Sequence, residues 1–257
     1  MSLLKTPAIV LKSRKWGEAD RIVTFYTLRL GKLRGVARGA RRLRNRFGSA
    51  LEPFVHGELN LFEKRGDSLY RITGADIRDS FAGLRDDLPR MSAAARLANF
   101  VAAVTGEGDA HPSIFKTLLD GLHVLQSGHD PVLTALLFQI KLLGETGFRP
   151  QTDHCAACGD GHGRTTAGHF SPLAGGLVCL SCARRDRDRC LPMSAGSLAF
   201  LQQALRWAPA AVTRLKASGQ ILSELEAAVE SYVTIVAGKR LPPADFLSPC
   251  DAGKRAL

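Results

Sequence analysis

At 257 residues the chain exceeds the roughly 100–200 of one ordinary domain, so two domains with room for a small insert are expected. Its 45% hydrophobic and 23% charged residues match a globular protein and exclude disordered, collagen-like and disulfide-knotted classes. No apolar run approaches the roughly 20 residues that cross a bilayer, and Met1–Pro7 carries no basic leader with a long apolar stretch behind it, so a cytoplasmic chain is expected.

The charge is informative. Lys and Arg outnumber Asp and Glu by 35 to 24, which favours an acidic partner, most often nucleic acid. Residues 1–80 hold 17 cations and 8 acids, a net of +9 out of +11, so the partner is expected at the N-terminal segment.

That segment reads as five short strands. Ala8–Leu11 opens the series, Arg21–Thr27 follows a Gly17-Glu18-Ala19-Asp20 interruption, and Lys32–Arg38 comes after Gly31. Val55–Phe62 and Ser68–Ile72 complete it. Five strands in under 80 residues fit a small closed or partly closed barrel such as the OB-fold, with an SH3-like barrel as the competing form. A helix between the third and fourth strands would decide between them, but Gly39–Pro53 is basic and polar without a clear apolar stripe.

From about residue 90 the period becomes helical. Ser92 is a candidate cap for a helix over Ala93–Val104, and Pro112 opens another running through Leu125. Asp130 and Pro131 start a third that ends near Gly144, apolar around most of its circumference and therefore expected at the centre. Ser194–Trp207 and Ser218–Val236 supply two more. The expected class is α+β multidomain: a barrel over residues 1–80, then a helical domain over 81–257. The stretch from about 147 to 192 lacks a helical period and interrupts that domain as a small independent unit.

This interruption holds the most specific pattern in the chain. Cys155-Ala-Ala-Cys158 and Cys179-Leu-Ser-Cys182 are two C-x2-C pairs separated by 20 residues, a spacing at which two knuckles converge on one tetrahedral ion. Four thiolates leave no position for an activated water, so one structural Zn2+ is expected, its residual negative charge offset by Arg184, Arg185, Arg187 and Arg189. Disulfides or buried free thiols are the plainer alternatives, but a reducing cytoplasm disfavours the first and neither explains the doubled spacing. His154, His162, His169 and Cys190 read as surface residues, and Cys250 as a spare thiol in a Pro-rich tail.

The second signal is a cationic run. Arg29, Lys32, Arg34, Arg38, Arg41, Arg42, Arg44 and Arg46 place eight positive charges in 18 residues with no acid among them. A charge run is by default a solvated face. Its density and its position between barrel strands favour a surface that neutralises phosphates without reading bases. Lys32, Arg34 and Arg38 would share one strand face, with Arg41–Arg46 as a mobile loop beside it. Trp16, Phe25, Tyr26, Phe47 and Phe54 are the aromatics nearby, of which Trp16 and Phe47 are the candidates for stacking on bases. The chain contains no phosphate-loop, H-E-x-x-H or G-x-S-x-G motif, so an enzyme is not expected.

Two blocks carry a family resemblance. Gly17-Glu-Ala-Asp-Arg-Ile-Val-Thr24, Gly31-Lys-Leu33 and Ala37-Arg-Gly-Ala-Arg-Arg42 form one. Gly147-Phe-Arg-Pro150, Cys155–Gly159 and Phe170-Ser-Pro-Leu-Ala-Gly-Gly-Leu-Val-Cys-Leu-Ser-Cys182 form the other. Over most of its length the sequence resembles the bacterial recombination mediator family RecO. The resemblance implies an OB-fold that binds single- and double-stranded DNA, followed by a helical domain carrying a zinc finger. It also implies annealing of complementary strands and, with RecR, loading of RecA on DNA coated by single-strand-binding protein. The acidic tail of that protein would dock on the helical domain. The implied location is cytoplasmic and nucleoid-associated, with no membrane partner. Carried over by position, Arg34 and Arg38 match basic barrel positions expected to touch DNA, with Arg41 and Arg42 beside them. A zinc-ribbon RNA-binding or ribosome-associated protein is the rival of another class, since the same basic barrel suits structured RNA. A nuclease is a third.

Overall fold

The structure, a computed structural model, describes residues 2–63, 69–160, 167–186, 189–206, 214–217 and 219–241. Ser68, His162, Arg187, Trp207, Ser218 and Cys250, named above, lie outside the described residues.

Strand β1 (Ser2–Trp16) is far longer than the apolar Ala8–Leu11 run that announces it. It pairs along Ser2–Ile9 with β4 (His56–Glu63) and along Ala8–Trp16 with β2 (Asp20–Thr27), so one strand serves both neighbours as it winds round the barrel. The register slips between Val10 and Lys12, a bulge that supplies the bend such a change of partner requires. Strands β3 (Gly31–Ala37) and β5 (Tyr70–Asp79) complete a closed barrel in the order β1-β2-β3-β5-β4. Closure comes from a short parallel contact, Gly35 with Tyr70 and Val36 with Arg71.

The barrel is OB-like, yet no helix lies between β3 and β4. Turns fill the connection: Gly39 and Gly48 have positive φ, and the Asn45 side chain accepts from the amides of Phe47 and Gly48. Ala40, Phe47, Leu51 and Val55 of this connection pack with Val23, Phe25, Leu33, Leu59, Leu61 and Ile72 in the barrel interior.

A 3-10 turn (Ala82–Leu84) leads to α1 (Leu88–Val104). The helix starts a turn earlier than its Ala-rich stretch suggests. Asp87, not Ser92, is the cap, accepting from the Arg90 amide at 3.0 Å, and Pro89 fits the first turn, where its missing N–H leaves no hydrogen bond unmade. Helix α2 (Pro112–Gln126) begins at its proline, and α3 (Pro131–Glu145) is capped by Asp130, whose carboxylate accepts from the Leu133 amide at 2.7 Å. Helix α3 is central, packing against α1, α2, α5 (Ala195–Arg206) and α6 (Gly219–Val236). Among the described residues no helix is long and apolar enough to cross a membrane.

Between α3 and α5 lie β6 (Ala167–Ser171), β7 (Gly176–Val178), the six-residue α4 (Leu180–Arg185) and β8 (Leu191–Ser194), with a sheet order of β7-β6-β8. The expectation of an independent unit is corrected here. Phe170, Leu177 and Met193 from this sheet belong to the helical core, and Phe170 meets Tyr232 of α6 edge to face at 5.8 Å. Only Cys155, Val178 and Ala183 form a separate small cluster. The reason is area: three short strands bury too little apolar surface to stand without a neighbour.

The barrel joins that core as well. Ile9, Leu11, Tyr26 and Phe54 cluster with Leu97, Phe100 and Phe138 of α1 and α3. The α1–α2 linker is drawn onto the edge of β3, where Glu107 bridges Lys32 in parallel and the Gly108 amide donates to the Lys32 carbonyl at 3.0 Å. Gly31, at φ 65°, permits this approach, because a Cβ there would stand 2.0 Å from the Asp109 carbonyl oxygen.

Candidate functional site: a basic cleft and a four-cysteine centre

Strand β3 alternates buried with outward residues, and cross-strand register carries its outward set across β2 and β1 in rows. Lys12 stands opposite Thr24, which stands opposite Arg34; Arg14 stands opposite Ile22, which stands opposite Val36. Helix α1 and the turn after α6 face these rows across a cleft of about 680 Å³. Among the described residues six cations line it, namely Lys12, Arg14, Lys15, Lys32, Arg34 and Lys239, against one carboxylate, that of Glu107. Trp16 lines it too and is 56% exposed.

The arginine-rich stretch is distributed around this cleft. Arg34 is in it, its Nε 2.6 Å from Glu107 Oε1. Lys32 is differently engaged: its ammonium donates to the carbonyl oxygens of Ala102, at 2.8 Å, and Thr105, at the C-terminal end of α1, where a cation complements the helix dipole. Burial lowers the Lys32 pKa; the Glu107 carboxylate opposes this, and the charges of Arg34 and Lys239 add to it.

Arg38 is exposed at the end of β3, beside the β1–β2 turn. Arg41 is tied to that turn through the carbonyls of Gly17 and Glu18, at 3.1 and 2.8 Å. Arg42, Arg44 and Arg46 are exposed on the β3–β4 connection, with the Arg46 guanidinium 4.9 Å from the Phe47 ring centroid. That connection, expected as a mobile loop, is anchored at Ala40, Phe47 and Leu51, which are buried in the barrel interior. Of the eight cations from Arg29 to Arg46, only Arg34 forms an ion pair with a carboxylate among the described residues.

Phe47, only 4% exposed, closes the barrel interior, and Phe25, Tyr26 and Phe54 are buried, which leaves Trp16 as the accessible aromatic of the five considered. Sequence reasoning missed Lys12, Arg14 and Lys15, although Lys12, Arg14 and Trp16 recur at the period of two that marks one strand face. Nothing in the sequence pointed to Lys239, which reaches the cleft from the far end of the chain.

The cysteines come together as their spacing predicts. The sulfurs of Cys155, Cys158, Cys179 and Cys182 all lie within 4.8 Å of one another, and His154, His169 and Cys190 are not part of the group. Backbone bonds cross-link the knuckles: the Ala156 amide donates to the Leu177 carbonyl at 2.7 Å, and the Cys179 amide donates to Cys155 Sγ at 3.3 Å. Gly176 allows the strand to pass Gln151, whose carbonyl oxygen would lie 2.4 Å from a Cβ.

Burial disfavours the Cys155 thiolate, but the amides of Cys179, Cys158 and Ala157 outweigh it and hold the thiol below its ordinary pKa. The Ser181 hydroxyl, then the Cys182 amide, holds Cys179 down to about 6. The 3.8 Å between Cys158 Sγ and Cys179 Sγ equals the edge, also about 3.8 Å, of a tetrahedron with 2.3 Å metal–sulfur bonds. Donor chemistry and geometry therefore fit a metal ion. Arg184, Arg185 and Arg189 are exposed nearby, with Arg189 3.9 Å from Asp186.

An OB-like barrel with a cationic cleft, docked on a helical bundle that carries a four-cysteine ribbon, defines the class of architecture. The family model for the N-terminal part of recombination protein O matches residues 1–81, and that for its C-terminal part matches residues 85–243. The DNA repair protein RecO of Desulforamulus reducens is 34% identical over 247 residues, covering 96% of this chain and 94% of that protein. Its namesake from Symbiobacterium thermophilum is 33% identical over 249 residues, covering 96% and 97%. That of Dehalococcoides mccartyi strain CBDB1 is 32% identical over 237 residues, covering 91% of each. The chain belongs to the RecO family, and its function lies in DNA repair and recombination.

Proposed function

We propose that the cleft binds DNA strands through their phosphates and that the protein anneals complementary strands without breaking bonds. The carrying observation is the cleft's composition, six cations and one exposed tryptophan against one carboxylate. Two strands repel each other through their phosphates, and a surface that neutralises both lowers the barrier to pairing. Guanidinium and ammonium groups grip phosphate oxygens whatever the base sequence, as an annealing factor requires. Trp16 adds a flat face on which any base can stack.

The same proposal extends to the partners that family membership suggests: RecR, the acidic tail of single-strand-binding protein and, through them, RecA, in the cytoplasm at the nucleoid. It also takes the ion of the four-cysteine centre to be Zn2+ in a structural role. Cys155, Cys158, Cys179 and Cys182 would hold it, and it would supply the charge balance that keeps four thiolates together.

The test replaces Arg34 and Arg38 with Ala. With about four phosphates neutralised on a single strand, log affinity of the unaltered protein should fall against log salt with a slope near −2.8. The double variant should bind more weakly and show a slope shallower by about 1.4, with an unchanged unfolding temperature. Unchanged affinity at moderate salt overturns the assignment. Annealing of coated complementary strands, set beside binding of structured RNA of equal length and cleavage trials with Mg2+ and Mn2+, separates the proposal from an RNA-binding role and from a nuclease.

A further inference from the structure

The cleft has a side chamber. Where β1 bulges between Val10 and Lys12, the facing chain turns at Phe54, a non-glycine residue held at φ 72°. The two irregularities are locked together: the Phe54 amide donates to the Val10 carbonyl at 2.8 Å, and the Val10 amide donates to the Val55 carbonyl at 2.9 Å. Between them and α1 lies a pocket of about 260 Å³, walled by Leu11, Pro53, Phe54 and Ala95. Lys12, Arg14 and Asn99 line both this pocket and the cleft, so the two spaces adjoin. A bulge and a left-handed phenylalanine at one point are costly backbone features of the kind that gather at binding sites.

We propose that this pocket receives one unstacked nucleobase of a single DNA strand whose phosphates lie along the cleft; the inference rests on the DNA-binding reading above. The volume falls below the roughly 300–1,000 Å³ of sites for drug-sized ligands and suits a single ring system. A nucleobase has two apolar faces and a polar edge. The pocket answers with Leu11, Pro53 and Ala95 as apolar walls over the buried ring of Phe54, and with Asn99 as a polar group at its rim. Lys12 and Arg14, two residues apart on one strand face, stand about 6.8 Å from each other and are placed to hold phosphates on either side of the inserted base. The charge at the mouth selects a polyanion, and the apolar interior rewards a base that has left its stack.

The experiment uses the full chain and its Ala95→Leu variant, in which a larger side chain grows from α1 into the pocket. Each is titrated with a single-stranded oligonucleotide and with an abasic strand of equal length. The variant should bind the base-bearing strand at least about fivefold more weakly, the lower end of what one stacked base contributes, and should bind the abasic strand as the unaltered protein does. The salt slope should be the same for both proteins.

Equal loss on both strands, or no loss on either, overturns the pocket while leaving the cleft intact. Failure of the unaltered protein to bind either strand overturns the DNA-binding reading itself. If Ala95→Leu abolishes binding of an acidic peptide bearing an aromatic side chain and spares the strand, the pocket belongs to a protein partner and the inference falls. Should the variant not fold, photo-crosslinking of a 5-iodouracil strand to the unaltered protein decides. Adducts on residues 53–54 or 95–99 support insertion; adducts confined to Trp16 and the β1–β2 turn refute it.

Discussion

A single carboxylate stands among the cleft's cations, and its position gives it a defined effect. Glu107 Oε1 is 2.6 Å from Arg34 Nε, so on the proposed reading the carboxylate competes with DNA phosphate for that guanidinium. The pair is about half exposed, and such pairs contribute roughly 0–1 kcal/mol. Glu107→Gln should therefore raise affinity for a single strand by up to about fivefold at low salt, with the gain fading as salt screens the contact. The variant keeps the backbone bridge to Lys32 intact. A titration in which Glu107→Gln binds no better than the unaltered protein at low salt would show that the carboxylate is not a competitor. Lys32 illustrates what sequence cannot reveal: its carbonyl partners lie 70 and 73 residues away, so its tie to the end of α1 is invisible in a basic run.

Among elements, the cysteine ribbon and β1 mark the two extremes of legibility. The four cysteines were readable because C-x2-C spacing reflects local turn geometry that needs no tertiary information. Strand β1 was readable only in its apolar centre. Its first residues pair with β4, and four of its last five, Lys12, Arg14, Lys15 and Trp16, line the cleft, so neither end carries the alternation of a half-buried strand.

Because the ribbon's sheet contributes Phe170, Leu177 and Met193 to the helical core, loss of the proposed structural ion should spread inward. Replacing Cys155 and Cys158 with Ser should abolish stoichiometric zinc, measured by release to a chromophoric chelator, and lower the unfolding temperature of the helical part. The barrel's affinity for DNA should stay within about threefold, since neither cysteine lines the cleft; complete loss of binding in a still-folded barrel would contradict the assignment of function to that face.

A second element contact is set by pH. The Glu224 carboxylate of α6 accepts from the Ser197 hydroxyl at 2.6 Å and the Ser194 amide at 2.8 Å, joining β8, α5 and α6. The Ser197 hydroxyl, then the Ser194 amide and Gln220, hold its pKa at about 2. A pKa depressed in the folded state stabilises the fold fully above the unfolded value of about 4.3 and loses that contribution as pH falls toward 2. Glu224→Gln should thus unfold below the unaltered protein at pH 6, and the gap should shrink from about pH 4 downward and close only below about pH 2, where the folded-state carboxylate takes up its proton. A gap that persists or widens in acid would refute the carboxylate's role.

For the molecule as a whole, the barrel keeps its own interior but lends Ile9, Leu11, Tyr26 and Phe54 to the bundle's core, and the α1–α2 linker seals the seam along β3. Tyr26 takes part in that seal, its hydroxyl accepting from the His111 amide at 3.1 Å. Gly31 is the point of closest approach, where both the left-handed backbone and the 2.0 Å gap to the Asp109 carbonyl exclude a side chain. Gly31→Ala should destabilise the protein by at least about 1–2 kcal/mol for the backbone conformation alone and move the linker off β3. Calorimetry should then resolve two transitions, barrel and bundle, in place of one; a single transition at the original temperature would mean that the seam does not depend on this contact.

The bracing of the β3–β4 connection bears on the thermodynamics of any encounter with a polyanion. With Ala40, Phe47 and Leu51 sunk into the barrel like footings, the backbone that carries the arginines between them keeps its course before a ligand arrives. A disordered basic tail would surrender its own freedom on capture, at the expense of affinity. Here the backbone is already ordered, so on the proposed reading binding costs the freedom of the exposed arginine side chains and of the incoming strand, and the protein can release one stretch of polymer and engage the next without refolding between steps.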